Sequence, residues 1–304
     1  MATAELEGTW TERVLHTSAG CPNDAAAPSG VAFGSDGVLY GDSFYGGAYS
    51  CLPPQGGGLG AVFSITPPIS PGGAWSEDVF SIGGGGPPPS TNGGALDGPS
   101  GGVTVGSGGV LYAATAYGGK YCCGALFTLV PPAFPGGSWT QPIIHSFGNP
   151  NIKDDGQYPG ANVVIDNAGV IYGITGSGGI QNAGEIYSLA PPAEPGGDWT
   201  YTILYDAPTY VGTGPSQLTL GGDGVLYSTI PHGGPSLFGT VFSLTLPASP
   251  GGSWNETTLY TFTGGSGADP SGGLLIGSSG VLFGTTAGRD PTFSKVGSVF
   301  MLTP

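Results

Sequence analysis

The sequence predicts an all-β protein, a five-bladed β-propeller with four strands per blade. Three observations predict it: a composition hostile to helices, five tryptophans at near-regular spacing, and a second motif that recurs five times. The 304 residues include 62 Gly and 29 Pro, about 30% of the chain, at the edge of low complexity. The longest stretch free of both is 11 residues, for example Thr9 to Ala19. Isolated helices need ~12–15 residues to be marginal, and Gly and Pro are the poorest helix formers. Helical bundles, coiled coils and Rossmann-type α/β folds are thereby excluded. Aromatic residues make up 11%, too many for a chain that stays unfolded. No apolar run approaches the ~20 residues of a membrane span.

The elements follow in order from internal repetition. Four blocks read Pro-Gly-Gly-x-Trp, at Pro71–Trp75, Pro135–Trp139, Pro195–Trp199 and Pro250–Trp254, and a shortened copy ends at Trp10. The tryptophans are spaced by 65, 64, 60 and 55 residues. Each opens a short strand: Trp10–His16, Trp75–Ser81, Trp139–His145, Trp199–Tyr205 and Trp254–Tyr260. The second motif is Gly37–Tyr40, Gly109–Tyr112, Gly169–Tyr172, Gly224–Tyr227 and Gly280–Phe283. A short strand and a tight turn precede each copy, as in Pro28–Phe33 before Gly34–Gly37. Beyond a loop comes a third strand: Ala61–Ile65, Ala125–Leu129, Glu185–Leu189, Thr240–Leu244 or Ser298–Leu302. Four alternating strands per 55–65-residue unit are a propeller blade. The chain ends on a third strand and begins on an orphan fourth. Pairing Trp10–His16 with the last repeat would complete the fifth blade, close the ring and cover its edges. Residues 1–304 then form one domain. An open β-solenoid is the alternative, but it needs dedicated caps rather than complementary half-blades.

The Gly-Val-Leu-Tyr-Gly run, the Gly-Gly that follows it and the closing Gly-x-Val-Phe-x-Leu resemble the GloVer (Gloeobacter/Verrucomicrobia-type) tandem repeats. The resemblance spans essentially the whole chain. It implies a propeller and no particular activity, so function has to be argued from the site.

The net charge of −15, with five basic residues, argues against nucleic acid and anionic membranes as partners. Cys21, Cys51, Cys122 and Cys123 contain no C-x-x-C pair, which argues against structural zinc. Disulfides are the expectation. Cys21 with Cys51, in one blade, is the favoured pair; a vicinal Cys122–Cys123 bond, or a link from one of these to Cys51, is the alternative. The first seven residues lack the features of a signal peptide. An acidic, Lys-poor, Cys-containing chain is expected in the secretory pathway behind a removed leader, with a cytoplasmic location the alternative.

The two faces of the propeller differ. Turns from first to second strand are short and uniform, and the third-to-fourth connections repeat the Pro-Gly-Gly-x-Trp pattern. That face reads as scaffold, with each Trp packing on a neighbouring repeat. The opposite face carries long, irregular loops. Four of the five basic residues, Lys120, Lys153, Arg289 and Lys295, fall there with all four Cys and many aromatics. Variable loops on a rigid scaffold are where binding residues collect.

Within those loops the repeat breaks its own rule. The loops open with x-x-Gly-Gly, carrying Phe44-Tyr45, Ala116-Tyr117, Gly176-Ser177 and Pro231-His232, whereas the fifth has Arg289-Asp290 in place of both Gly. Asp42-Ser43 replaces an apolar or Thr pair. Asn162 and Gln217 stand on first strands where other repeats have Gly30, Gly102 and Gly273. These departures predict one asymmetric pocket at the channel mouth. In it His232 shuttles a proton, Arg289 or Lys120 stabilises negative charge, and Asp42 orients or acts as base. Phe44, Tyr45, Tyr117, Tyr121, Tyr158 and Phe238 shape the cavity, with Asn162 and Gln217 at its mouth. Each also has a structural reading: surface His, Asp cap, exposed ion pair, packing aromatics.

The expected function is a cofactor-free, metal-free monomeric enzyme acting on a small apolar or polyunsaturated metabolite by cyclisation, cycloaddition, dehydration or isomerisation. The alternative is a lectin-like carbohydrate binder or a glycoside hydrolase. For the hydrolase, Asp42, Asp97, Asp154, Asp206 and Asp269 could supply a carboxylate pair. A multivalent lectin would repeat its site in each blade, and here the loops do not repeat. A structural domain is the third reading.

Overall fold

The computed structural model describes residues 11–19, 24–35, 37–47, 60–82, 94–99, 101–134, 137–194, 196–208, 214–247, 252–264, 267–288 and 297–304. These form five antiparallel sheets in a ring, a five-bladed β-propeller of roughly four strands per blade. The first blade orders Ala25–Phe33, Leu39–Gly46, Ala61–Thr66 and Ser76–Ser81. In the second, the first strand is split into Gly94–Pro99 and Thr104–Val105, followed by Leu111–Gly119, Ala125–Leu129 and Ile143–Ser146. The third holds Gln157–Ile165, Ile171–Ser177, Glu185–Ala190 and Thr200–Asp206. The fourth holds Leu218–Leu220, Leu226–Ile230, Thr240–Thr245 and Asn255–Thr261. The fifth has Leu275–Ile276, Leu282–Thr286 and Ser298–Leu302.

The recurrent Gly before Val-Leu-Tyr has a backbone cause. Each first-to-second turn is closed by an amide-to-carbonyl bond across four residues, such as Gly34 to Val38 at 2.8 Å and Gly277 to Val281 at 2.7 Å. The fourth turn residue then needs a left-handed conformation: Gly37, Gly109, Gly169, Gly224 and Gly280 have φ between 76° and 82°. Glycine supplies it without steric cost.

The cores lie between blades. Val62 and Ile82 of the first blade pack with Leu96, Leu111 and Phe127 of the second. Leu126 and Phe147 pack with Ile171 and Tyr187 across the next joint, and Ile186 with Leu226 and Phe242 across the third. Trp139 meets Phe80 of the preceding blade at 4.9 Å, and Trp254 meets Tyr172 at 6.0 Å. Trp139 and Trp254 thus join neighbouring repeats, as does Trp199 against the cluster holding Leu126 and Phe147, whereas Trp75 packs within its own blade on Phe63 and Ile65. The strand expected over Trp139–His145 is shortened to Ile143–Ser146 because Pro142 has no N–H for the ladder.

The N-terminal segment departs from expectation. Trp10 lies outside the described residues, and residues 11–19 form no strand. The fifth sheet has three strands among the described residues. His16 instead pairs with Glu77 on the fourth strand of the first blade, and the Ala19 amide donates to Asp24. Its polar groups find partners on the first blade instead.

Candidate functional site

The joints between blades set the geometry of the long-loop face. The first strands are entered through an x-Pro step: Ala27-Pro28, Gly98-Pro99, Tyr158-Pro159, Gly214-Pro215 and Asp269-Pro270. Ala27, Gly98, Tyr158 and Asp269 all have φ between 55° and 64°. For a residue with a side chain this conformation is strained, and it persists only where surroundings impose it. Here an amide bond to the preceding blade imposes it: Tyr158 donates to the Cys123 carbonyl at 2.8 Å and Asp269 to the Phe238 carbonyl at 3.0 Å. At two joints the second residue of the x-x-Gly-Gly loop meets a pre-proline residue of the next blade: Tyr117 meets Tyr158, and His232 meets Asp269.

Those pairs are chemically unlike. At the first joint Phe44 stacks edge-on with Tyr45 at 4.9 Å, and Gly98 sits against the Phe44 ring with Tyr117 beyond it. At the second, Tyr117 meets Tyr158 edge-on at 5.7 Å, both rings nearly half exposed. The third has only Ser177 and Gly214. At the fourth, His232 Nδ1 lies 2.8 Å from Asp269 Oδ1, with both side chains partly exposed. By sequence position, Gly288 and Ala27 are the counterparts at the last. Asn162 and Gln217 are exposed and fall on the same two populated joints: Asn162 lies over Gly102 of the second blade, Gln217 over Gly273 of the fifth. A Cβ at either glycine would strike the amide, so glycine there makes room for it. Thr104 donates to Val163 O and Thr219 to Leu274 O, each at 2.6 Å, tying the same joints below.

Between the third and fourth blades lies a cavity of about 500 Å³. Gly233, Gly234, Pro235 and Leu237, on the loop that carries His232, line it with Ile230, Tyr205, Pro208, Thr240, Thr258, Thr261 and Glu256. Tyr205 and Glu256 were not anticipated from sequence, since outer-strand residues carry no repeat-breaking signal.

Several anticipated residues stand elsewhere. Asp42 is fully buried: Ser29 Oγ donates to Oδ1, and the Gly102 amide donates to Oδ2 at 3.1 Å. Burial pushes its carboxyl up, against those hydrogen bonds. It is a clamp from the first blade to the second, not a solvent-facing base. Asp42→Asn is expected to destabilise the fold by about 1–3 kcal/mol and leave ligand affinity unchanged, read by thermal melting and titration. Lys120 is exposed, its Nζ 5.1 Å from the Tyr121 ring centre; the two cover each other rather than approach His232. Phe238 packs over Gly264 and onto the core between the fourth and fifth blades, so it supports the Asp269 backbone rather than a cavity wall. Among the other carboxylates, Asp97 is half-buried and raised by burial. Asp154 pairs with Lys153 at 3.3 Å, and Asp206 accepts from the Ile180 amide at 3.0 Å. Arg289 and Asp290 lie outside the described residues, as do Cys21 and Cys51. Cys122 and Cys123 are both free thiols, which corrects the vicinal disulfide.

A buried polar cluster at the second joint escaped the sequence reading. Tyr201 donates to Glu185 Oε1, and Glu185 Oε2 is buried without a partner. His145, stacked on Tyr201 at 4.5 Å, contacts Asp155 at 3.1 Å, and the Asn149 amide holds the other Asp155 oxygen at 2.7 Å. Burial first, and the Asp155 charge second, push the Glu185 carboxyl up to about 8 despite the Tyr201 bond. One signal was available: third strands begin Ala61, Ala125, Glu185, Thr240 and Ser298, so Glu is the lone acid at a position otherwise small.

The family model of the Gloeobacter/Verrucomicrobia repeat matches residues 98–304. No curated protein matches the chain. Among solved structures, a protein of unknown function from Dyadobacter fermentans is 14% identical with a TM-score of 0.50, covering 92% of this chain and 79% of its own. A GH43 β-xylosidase/α-arabinofuranosidase from a compost metagenome is 13% identical at TM-score 0.38, covering 95% and 92%. An α-L-arabinanase of Cellvibrio cellulosa is 12% identical at TM-score 0.34, covering 93% and 92%. At these identities the likeness is one of fold.

Proposed function

The chain belongs to the Gloeobacter/Verrucomicrobia repeat family, and on that scaffold we propose that the long-loop face holds a single carbohydrate site. One observation carries the reading: equivalent joints around the ring hold an aromatic strip on one side, Phe44–Tyr45 through Tyr117–Tyr158, and the His232–Asp269 pair on another. A sugar offers an apolar C–H face and a rim of hydroxyls. Half-exposed tyrosine rings suit the first, and the Asn162 and Gln217 amides, each both donor and acceptor, suit the second. The aromatic strip and the polar pair stand at different joints, and in this reading one ligand engages both.

A second reading makes the site hydrolytic, and the His232–Asp269 contact favours it. A carboxylate on Nδ1 fixes the imidazole's orientation and tautomer, as proton transfer near neutral pH requires. The imidazole would take a proton from water as the water oxygen bonds to the scissile carbon of the sugar, and return it to the oxygen that departs as the old C–O bond breaks. Cyclisation of an apolar, polyunsaturated substrate has less support: the Tyr45, Tyr117 and Tyr158 rings are open to solvent.

The test is titration with a panel of neutral and acidic oligosaccharides, followed by mass spectrometry of ligand and product. One ligand per chain is expected, with Tyr117→Ala and Tyr158→Ala each weakening it about tenfold. If the site is hydrolytic, His232→Ala should slow turnover by about 10²–10⁴ with affinity kept. Several equivalent ligands per chain, or binding untouched by both tyrosine variants, would overturn the single-site reading.

A further inference from the structure

Outside the loop face, three ligating side chains converge on the first blade. The carboxylates of Asp24 and Glu77 and the imidazole of His16 bring their donor atoms within 4.8 Å of one another. His16 comes from the N-terminal segment, Asp24 stands just before the first strand, and Glu77 lies on the fourth strand, so three separate pieces of chain meet. His16 Nε2 lies 3.1 Å from Glu77 Oε2 yet makes no aligned hydrogen bond, and Glu77 Oε1 is buried without any partner. The Glu77 side chain is 8% exposed. An unsatisfied carboxylate oxygen at that depth is costly. Donors that approach one another without hydrogen-bond alignment are arranged as ligands around a common cation are.

We propose that His16, Asp24 and Glu77 form a zinc site that pins the N-terminal segment to the first blade. One imidazole and two carboxylates match the ligand types of Zn²⁺, whose tetrahedral shell is completed by water; Ca²⁺ calls for six or more oxygens. Zn–N and Zn–O distances of about 2.0–2.2 Å put tetrahedral donors about 3.4 Å apart, inside the 4.8 Å over which these atoms gather.

The experiment is calorimetric titration of the full chain, after chelator treatment, with Zn²⁺, Mn²⁺ and Ca²⁺. Expected are one Zn²⁺ per chain, a raised Tm, and weaker Mn²⁺ and Ca²⁺ binding. Glu77→Gln and His16→Gln should each abolish it while still folding cooperatively in chelator. Co²⁺ substitution separates this site from the free thiols, since binding at Cys122 or Cys123 gives a thiolate charge-transfer band and binding here does not. No zinc binding, a thiolate band, or binding retained in both variants would overturn the proposal.

Discussion

Glu185→Gln is expected to make the protein more stable than its parent at pH 8 and to remove much of its loss of stability between pH ~5 and ~8. The Glu185 carboxyl has an ordinary value of 4.5 and is raised to about 8 in the fold. Between those values the native state keeps a proton that the unfolded chain gives up. Stability therefore falls as pH rises through this window, by up to ~1.4 kcal/mol per unit, and levels off above the folded pKa. The total is on the order of a few kcal/mol, a large part of the roughly 5–15 kcal/mol of a typical domain. Gln fills the same volume, keeps an acceptor for Tyr201 and carries no charge beside Asp155. Below the ordinary value the two proteins should melt alike. Glu77, also raised to about 8, adds loss of the same sign, so Glu185→Gln should flatten the curve without making it level. Melting both proteins across pH checks this; parallel curves would mean that Glu185 is charged and satisfied in the fold.

Much of the architecture was legible because the blade is repeated five times. Strand periodicity, the turn glycines and the tryptophans each recur five times in the sequence, so local noise averages out. The joints were legible only in part. The five x-Pro steps stand in the sequence, but nothing in Tyr158-Pro159 or Asp269-Pro270 announces a left-handed backbone. That conformation is imposed by the preceding blade through the Cys123 and Phe238 carbonyls. His232 stood out as a loop residue that breaks the repeat. Its partner Asp269 was only one of five equivalent acids, because the pairing is made across a joint 37 residues long in sequence. Asp42 misled for the converse reason: a repeat-breaking acid looked catalytic, yet it breaks the rule to clamp the Gly102 amide. The N-terminal segment misled because arithmetic of the repeats assigns Trp10–His16 to the fifth blade, whereas His16 finds its polar partners on the first.

Gly124→Ala should be among the most damaging single-methyl additions in the chain, and Gly108→Ala among the mildest at a left-handed glycine. Both glycines have positive φ, 98° and 66°, so both variants carry left-handed strain of about 1–2 kcal/mol. Around Gly108 a new Cβ meets nothing within 4 Å. At Gly124 it would lie 2.4 Å from the Thr115 carbonyl oxygen and 2.5 Å from Cδ of Pro159 in the next blade. Neither obstacle can rotate away: one is backbone, the other a ring closed on its own backbone. The same lock recurs where Gly60 meets Pro99 and Gly239 meets Pro270, so opening it means separating two blades. A loss on the order of 3–5 kcal/mol is expected for Gly124→Ala, or a fall in Tm of roughly 10 °C. The consequence also reaches the site. Gly124 follows Cys123, whose carbonyl holds the Tyr158 amide and with it the exposed ring facing Tyr117. Chain that folds despite Gly124→Ala, at low temperature, should therefore bind sugar more weakly than parent, while Gly108→Ala binds as parent does. Equal melting of the two variants would show that the blades are not locked at these glycines, and the strain at Tyr158 would then need another source.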